Sequence, residues 1–181
     1  MDLVWLLDRA TGLVAYPALY AATVTGILYG EPQFGTLAKL ARRVHVEIAV
    51  FALVVTLAHG LLGVLDTWLV ATGQAPEPQY GTTFLVAGAA VGVGALLLTI
   101  VAALGFLDAT RFSAPWGPQV VHGFAYAGYA FATIHAAAIG TDVLGLIRPA
   151  IVPATAFVTY LFALRVLVSH GPVSDGAPAS Q

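Results

Sequence analysis

The chain contains no cysteine at any of its 181 positions. That excludes a disulfide scaffold, an iron–sulfur cluster, covalently attached haem and thiol chemistry. Charge is nearly as scarce. Asp, Glu, Lys and Arg make up 9% of the residues, against about 25% in an ordinary soluble domain. Seven Lys and Arg with nine Asp and Glu are too few to cover a water-soluble globule. Lys39, Arg42 and Arg43 form the most basic stretch, which is too short for a nucleic-acid surface. What the chain has instead is apolar: 59% hydrophobic residues and a mean hydropathy of +0.89. The expectation is an all-α integral membrane protein embedded in a lipid bilayer.

Five apolar runs approach the ~20 residues that a span requires. They cover residues 10–30, 48–65, 83–107, 112–141 and 149–164. The second helix is expected to begin near Val44, and the fifth to reach about Val168 past a snorkelling Arg165. Pro115 and Pro118 mark the start of the fourth. Long continuous runs argue against a β-barrel, whose strands alternate. The chain thus reads as a five-transmembrane-helix bundle over residues 1–168, with a disordered tail over 169–181 that is rich in Gly, Pro, Ser and Ala. Asp2, Asp8 and Arg9 leave no clearly basic leader, so the first run is kept as a helix of the mature protein. Connections are expected at 31–43, 66–82, 108–118 and 141–148.

Orientation follows the Lys and Arg of the short loops. Lys39, Arg42 and Arg43 make the first loop the most basic, which places it in the cytoplasm. The N-terminus and the 66–82 loop then lie outside, and Arg111 and the C-terminus inside. Arg148 falls outside and opposes this assignment.

Four of the five histidines fall in or at the edge of these runs: His45 and His59 on the second, His122 and His135 on the fourth. Ionisable groups in a bilayer are costly and point to function. The pairs are fourteen and thirteen residues apart, about 20 Å along a helix axis in each case. If the two helices run parallel, His45 is level with His122 and His59 with His135. Two facing imidazoles can supply both axial ligands of a haem iron, and small neighbours such as Gly60, Gly63, Gly123, Gly128 and Ala136 make room for the macrocycle. Fourteen residues return to within ~40° of the same helix face, whereas thirteen miss it by ~140°. The fourth helix therefore needs a winding change, a bend or compensating rotamers. A zinc site would gather three or four ligands in one cluster. A proton relay would favour carboxylates between the histidines, and Glu47 alone lies inside such a run. His170 reads as a solvated tail residue.

The segments RRVHVEIAVFALVVTLAHGLLGVLD (42–66) and VVHGFAYAGYAFATIHAAAIGTD (120–142), with RATGLVAYPALYAATVTGILYG (9–30), carry a family likeness. The sequence resembles the ferric reductase-like transmembrane domain family. That family includes ferric-chelate reductases, NADPH oxidases and the haem-binding membrane subunit of methionine-sulfoxide reductase systems. The resemblance covers about residues 9–168 and implies two haem b groups, ligated by His45, His59, His122 and His135, that pass electrons across the membrane. Tyr126 also fits the pattern. Many relatives carry Arg or Lys directly after the cytoplasmic-side histidine, where this chain has Val46 and Gly123. Arg42, Arg43 and Arg111 then become the candidates for the haem propionates. The fused flavin and nicotinamide module of the oxidases has no counterpart, so the implied electron donor is a separate flavin- or nicotinamide-dependent protein or a diffusible reductant.

Two function classes follow. One is a di-haem b-type membrane cytochrome, an electron-transfer protein or oxidoreductase subunit that delivers electrons to an outside acceptor such as ferric iron, oxygen or a partner reductase. The other is a non-catalytic helical assembly or transport subunit whose histidines are interhelical contacts, a reading that the abundant Gly and Ala suit.

Overall fold

A computed structural model of the chain describes residues 3–78, 81–107, 116–139 and 148–169. The described residues are helical and contain no strand. The elements are α1 (Leu3–Tyr29), a single 3-10 turn (Pro32–Phe34), α2 (Thr36–Ala71), α3 (Thr82–Leu107), α4 (Gly117–Ile139) and α5 (Arg148–Ser169). Arg111, His170, the tail from 170 onward and most of the expected 108–118 and 141–148 connections lie outside the described residues.

The largest departure from expectation is α2. It begins at Thr36, not near Val44, and runs on past Asp66 to Ala71. Lys39, Arg42 and Arg43 are therefore helical residues and not loop residues. The physical reason is a buried stripe that starts early. Ala38 and Ala41 are each 2% exposed, and the same stripe continues through His45, Ala52, Thr56 and His59 at spacings of three, four and seven. A helix of 36 residues is about 54 Å long, well beyond the ~30 Å hydrocarbon layer. The first connection shrinks to a tight turn. Gly35 makes it with φ +53°, a left-handed conformation that a side chain would strain. Gly73 (φ +72°) closes the other end, where the amides of Gly73 and Gln74 donate to the carbonyls of Val70 and Leu69 in the manner of a glycine helix stop.

α1, α2, α3 and α4 contact one another in cyclic order, most extensively α1 on α2 and α3 on α4. α2 and α4 thus take opposite corners of a four-helix bundle. Facing residues fix the directions. Gly12 meets His59 and Gly26 meets His45, so α1 and α2 are antiparallel. Gly92 meets His135 and Gly105 meets Val121, so α3 and α4 are too. His45 faces His122 and His59 faces His135, so α2 and α4 are parallel. α5 lies outside this ring against α1 and α4, held by Arg165, which reaches Glu31 (3.5 Å) and the Tyr126 hydroxyl (3.0 Å).

The core is thin, built from Ala18, Leu19, Ile27, Ala52, Tyr129, Val158 and Leu161. Large apolar side chains cover the outer faces instead, among them Val54, Leu97, Ile134 and Val152. Such a surface is a liability in water and is suited to lipid. Among the described residues four helices, α1, α2, α3 and α5, are long and apolar enough to cross a membrane. α4 is not among them, because its 23 residues include Gln119, His122, Tyr126, Tyr129, Thr133 and His135. The polarity that weakens α4 as a span is the chemistry that it brings to the bundle. Pro17 and Pro153 lie inside α1 and α5, as membrane helices tolerate when neighbours cover the freed carbonyls. Outside the apolar runs, Glu77 starts α3 by accepting from the Thr82 amide and hydroxyl, both at 2.8 Å. These bonds hold its carboxyl below the ordinary glutamate value.

Candidate functional site

The parallel corner helices bring the four histidines together as two tiers. The His45 and His122 ring centres are 6.3 Å apart with planes at 86°, and those of His59 and His135 are 5.8 Å apart at 66°. A metal–imidazole bond is about 2 Å long. Two imidazoles on opposite faces of one metal therefore have ring centres about 6 Å apart. Both tiers meet that separation. α4 is α-helical throughout between its two histidines, so the thirteen-residue phase error is absorbed by side-chain direction and helix placement and not by a change of winding.

Each ring is anchored through Nδ1. His59 Nδ1 donates to the Asp8 carbonyl (3.1 Å), His122 Nδ1 to the Ala102 carbonyl (3.3 Å) and His135 Nδ1 to the Gly88 carbonyl (2.8 Å). His45 Nδ1 pairs with Thr25 Oγ1 at 3.1 Å. The Thr25 hydroxyl already donates to the Ala21 carbonyl at 2.7 Å, so its oxygen is the acceptor. A neutral imidazole that donates from Nδ1 carries its lone pair on Nε2. All four rings are thus held in the tautomer whose Nε2 binds a metal, with the orienting bond that metal-ligating histidines ordinarily have.

Glycines stand where these rings need space. A Cβ at Gly12 would lie 3.0 Å from His59 Cε1, one at Gly26 3.0 Å from His45 Cε1, and one at Gly92 2.8 Å from His135. Gly12 and Gly26 repeat on α1 the fourteen-residue spacing of His45 and His59 on α2. A cavity of about 180 Å³ adjoins the His59/His135 tier, and its wall includes Gly12, Gly60, Gly92, Ala132 and Ala136. At the other tier a Cβ on Gly123 would meet nothing within 4 Å. Between the tiers the core is packed. Tyr16 and Tyr129 stack with ring centres 6.0 Å apart, their hydroxyls 3.3 Å from each other and Tyr16 3.4 Å from Thr133 Oγ1.

The cationic candidates fare differently. Arg42 donates to the Tyr29 carbonyl (3.1 Å) and lies over the Tyr29 ring, which is 6.0 Å from the His45 ring. Arg42 is thus one residue removed from the His45 tier. Arg43 is exposed on α2, and Arg111 lies outside the described residues. Sequence reasoning passed over Arg9, which lines the His59 cavity with its guanidinium 4.1 Å above the Trp5 ring. Its place at the start of the first apolar run, on the His59 side, was the available signal. Asp8 was missed as well, although its Oδ1 sits 2.9 Å from His59 Nδ1.

Among the described residues no group of three or more His, Cys, Asp or Glu converges as on a metal ion. Such a grouping does not bear on a porphyrin iron, which takes at most two protein ligands. Anchored Nδ1 atoms, ring separations and glycine clearances all fit such a group. No curated protein and no solved structure matches the chain. A family match spans α1 to α4 and all four of these histidines: over residues 3–142 the chain belongs to the family described as Domain of unknown function (DUF8596).

Proposed function

We propose that this protein is a di-haem b-type membrane cytochrome, a five-span bundle akin to ferric reductase-like transmembrane domains. His45 and His122 ligate one haem and His59 and His135 the other. The observation that carries the reading is the pair of histidine tiers, each with ring centres about 6 Å apart (6.3 and 5.8 Å) and every Nδ1 tied to a neighbouring helix. When bound, haem supplies a one-electron ferric/ferrous couple at each tier. The chain would supply ligands, a packed interval between the tiers, and cations for the propionates. Arg42 and Arg43 serve the His45 tier, as does Arg111 on the sequence reading, and Arg9 serves the His59 tier. Two histidines at each tier would suit electron transfer by the bound group over substrate chemistry at it. With the basic end of α2 in the cytoplasm, the N-terminus lies outside and the C-terminus inside. In that orientation the chain would carry electrons from a separate cytoplasmic donor to an outside acceptor such as ferric iron, oxygen or a partner reductase.

The test is vectorial transfer. Purified protein is placed in liposomes with ferricyanide trapped inside and dithionite added outside. Wild type should bleach the trapped ferricyanide through a haem spectrum that turns over, and His45→Ala should not. Bleaching at the rate of empty liposomes would count against the proposal. The same Nδ1 bonds favour one rival, in which the histidines only join helices. That rival predicts a colourless protein.

A further inference from the structure

The two tiers have like ligands but unlike surroundings. Three of the four Nδ1 anchors are neutral, namely the Thr25 hydroxyl and the carbonyls of Ala102 and Gly88. The fourth, at His59, combines the Asp8 carbonyl with the Asp8 carboxylate, whose Oδ1 is 2.9 Å from Nδ1. That Oδ1 is buried and lies directly against the ring nitrogen. The position is built. Gly63, one turn beyond His59, gives the carboxylate room, since a Cβ there would lie 3.2 Å from Asp8 Oδ1. Arg9 and Asp66 also line this cavity, one charge of each sign, and Asp8 lies at contact distance from the imidazole. No carboxylate is among the Nδ1 partners of the His45 tier. Arg42 approaches through Tyr29, and Arg165 is paired with Glu31.

A carboxylate against Nδ1 makes the imidazole a stronger donor through Nε2 and stabilises the more positive state of a bound metal. We infer that Asp8, acting through His59, sets the redox asymmetry of the molecule: it holds the His59/His135 haem at the lower reduction potential, so that a single electron resides on the His45/His122 haem. This rests on the two-haem reading. Its consequence is directional. An electron delivered from the basic side stays on that side until an acceptor draws it across, and the His59 tier, once reduced, is the stronger reductant.

Potentiometric titration of the purified holoprotein with mediators, followed in the haem α-band, tests this. Two one-electron waves are expected. His59→Ala should retain the higher-potential wave, and His45→Ala the lower. Asp8→Asn should raise the lower wave by a tenfold or greater change in the reduced-to-oxidised ratio at fixed poise, about 59 mV for one electron. The upper wave should stay in place, and Asp8→Glu should restore the lower one. Equal movement of both waves in Asp8→Asn, or movement of neither, would overturn the inference. If Asp8→Asn fails to hold haem, the order of the waves in the two histidine variants still decides, and a higher-potential His59 tier would refute it. A wild-type protein with no haem would instead remove the two-haem reading itself.

Discussion

The His45/His122 and His59/His135 tiers are built to one plan and finished differently. In both, a histidine from α2 faces one from α4, an α1 glycine lies against the α2 ring, and Nδ1 is tied to a neighbouring helix. Yet one tier borders a cavity with a carboxylate at contact distance, while the other has the Tyr29 ring 6.0 Å from His45 and a threonine hydroxyl on its Nδ1. Shared features describe what a site must do to hold two imidazoles about 6 Å apart. Divergent ones are free to tune it. Helix packing sets the histidine geometry, and single polar side chains set the environment.

The largest effect expected breaks one tier and spares the other. His59→Ala or His135→Ala should leave one haem per chain, the one held by His45 and His122, and His45→Ala or His122→Ala should leave the other. About 20 Å of helix separates the tiers, so no histidine can serve both. Haem content and reduced-minus-oxidised spectra of monodisperse protein decide this. Loss of the same haem from His45→Ala and His135→Ala would show that the pairing is wrong.

Glycine substitutions sharpen the comparison. Gly92→Val should displace His135, since even its Cβ would approach the ring to 2.8 Å. The cost in stability is about 1–3 kcal/mol, with haem lost from that tier alone. Gly26→Val should do the same at His45, and Gly123→Ala, with open space at its Cβ, should leave both haems bound. Haem retention during a thermal or denaturant ramp separates the three. A Gly123→Ala variant that lost haem as readily as Gly92→Val would contradict the packing described.

Smaller effects belong outside the tiers. Arg165→Met removes the tie between α5, Glu31 and Tyr126 and leaves Glu31, only 8% exposed, with Gln33 as a remaining partner. Part of the Arg165 side chain is exposed, so the loss should be roughly 1 kcal/mol, seen as faster hydrogen exchange in α5 with unchanged haem content. The smallest effect is expected at Glu77. Its folded-state pKa is depressed by the Thr82 bonds, so the stabilisation is present above the ordinary glutamate pKa and fades as pH falls through the folded value. Amide exchange at the start of α3 should quicken on acidification in wild type and be pH-independent over that range in Glu77→Gln.

Much of this arrangement was legible beforehand. Apolar runs located the helices, and the fourteen- and thirteen-residue spacings paired His45 with His122 and His59 with His135. Three things were not. The start of α2 at Thr36 depends on Ala38 and Ala41 finding a buried face, which a hydropathy run interrupted by Lys39, Arg42 and Arg43 conceals. Asp8 reads as a flanking charge until the antiparallel packing of α1 on α2 sets it beside His59, 51 residues away. Gly12 and Gly26 look like ordinary small residues of a membrane helix, although their spacing echoes that of the histidines they face. In each case the missing information was which helix lies against which, and at what register.

The central claim is that two bis-histidine haem sites share one chain. Its most direct test is haem quantitation by pyridine haemochrome on protein expressed with ample haem, referenced to amino-acid analysis. The account predicts two acid-acetone-extractable haem b groups per chain, since no cysteine is present to retain either. A ratio near zero in folded, monodisperse protein would contradict it.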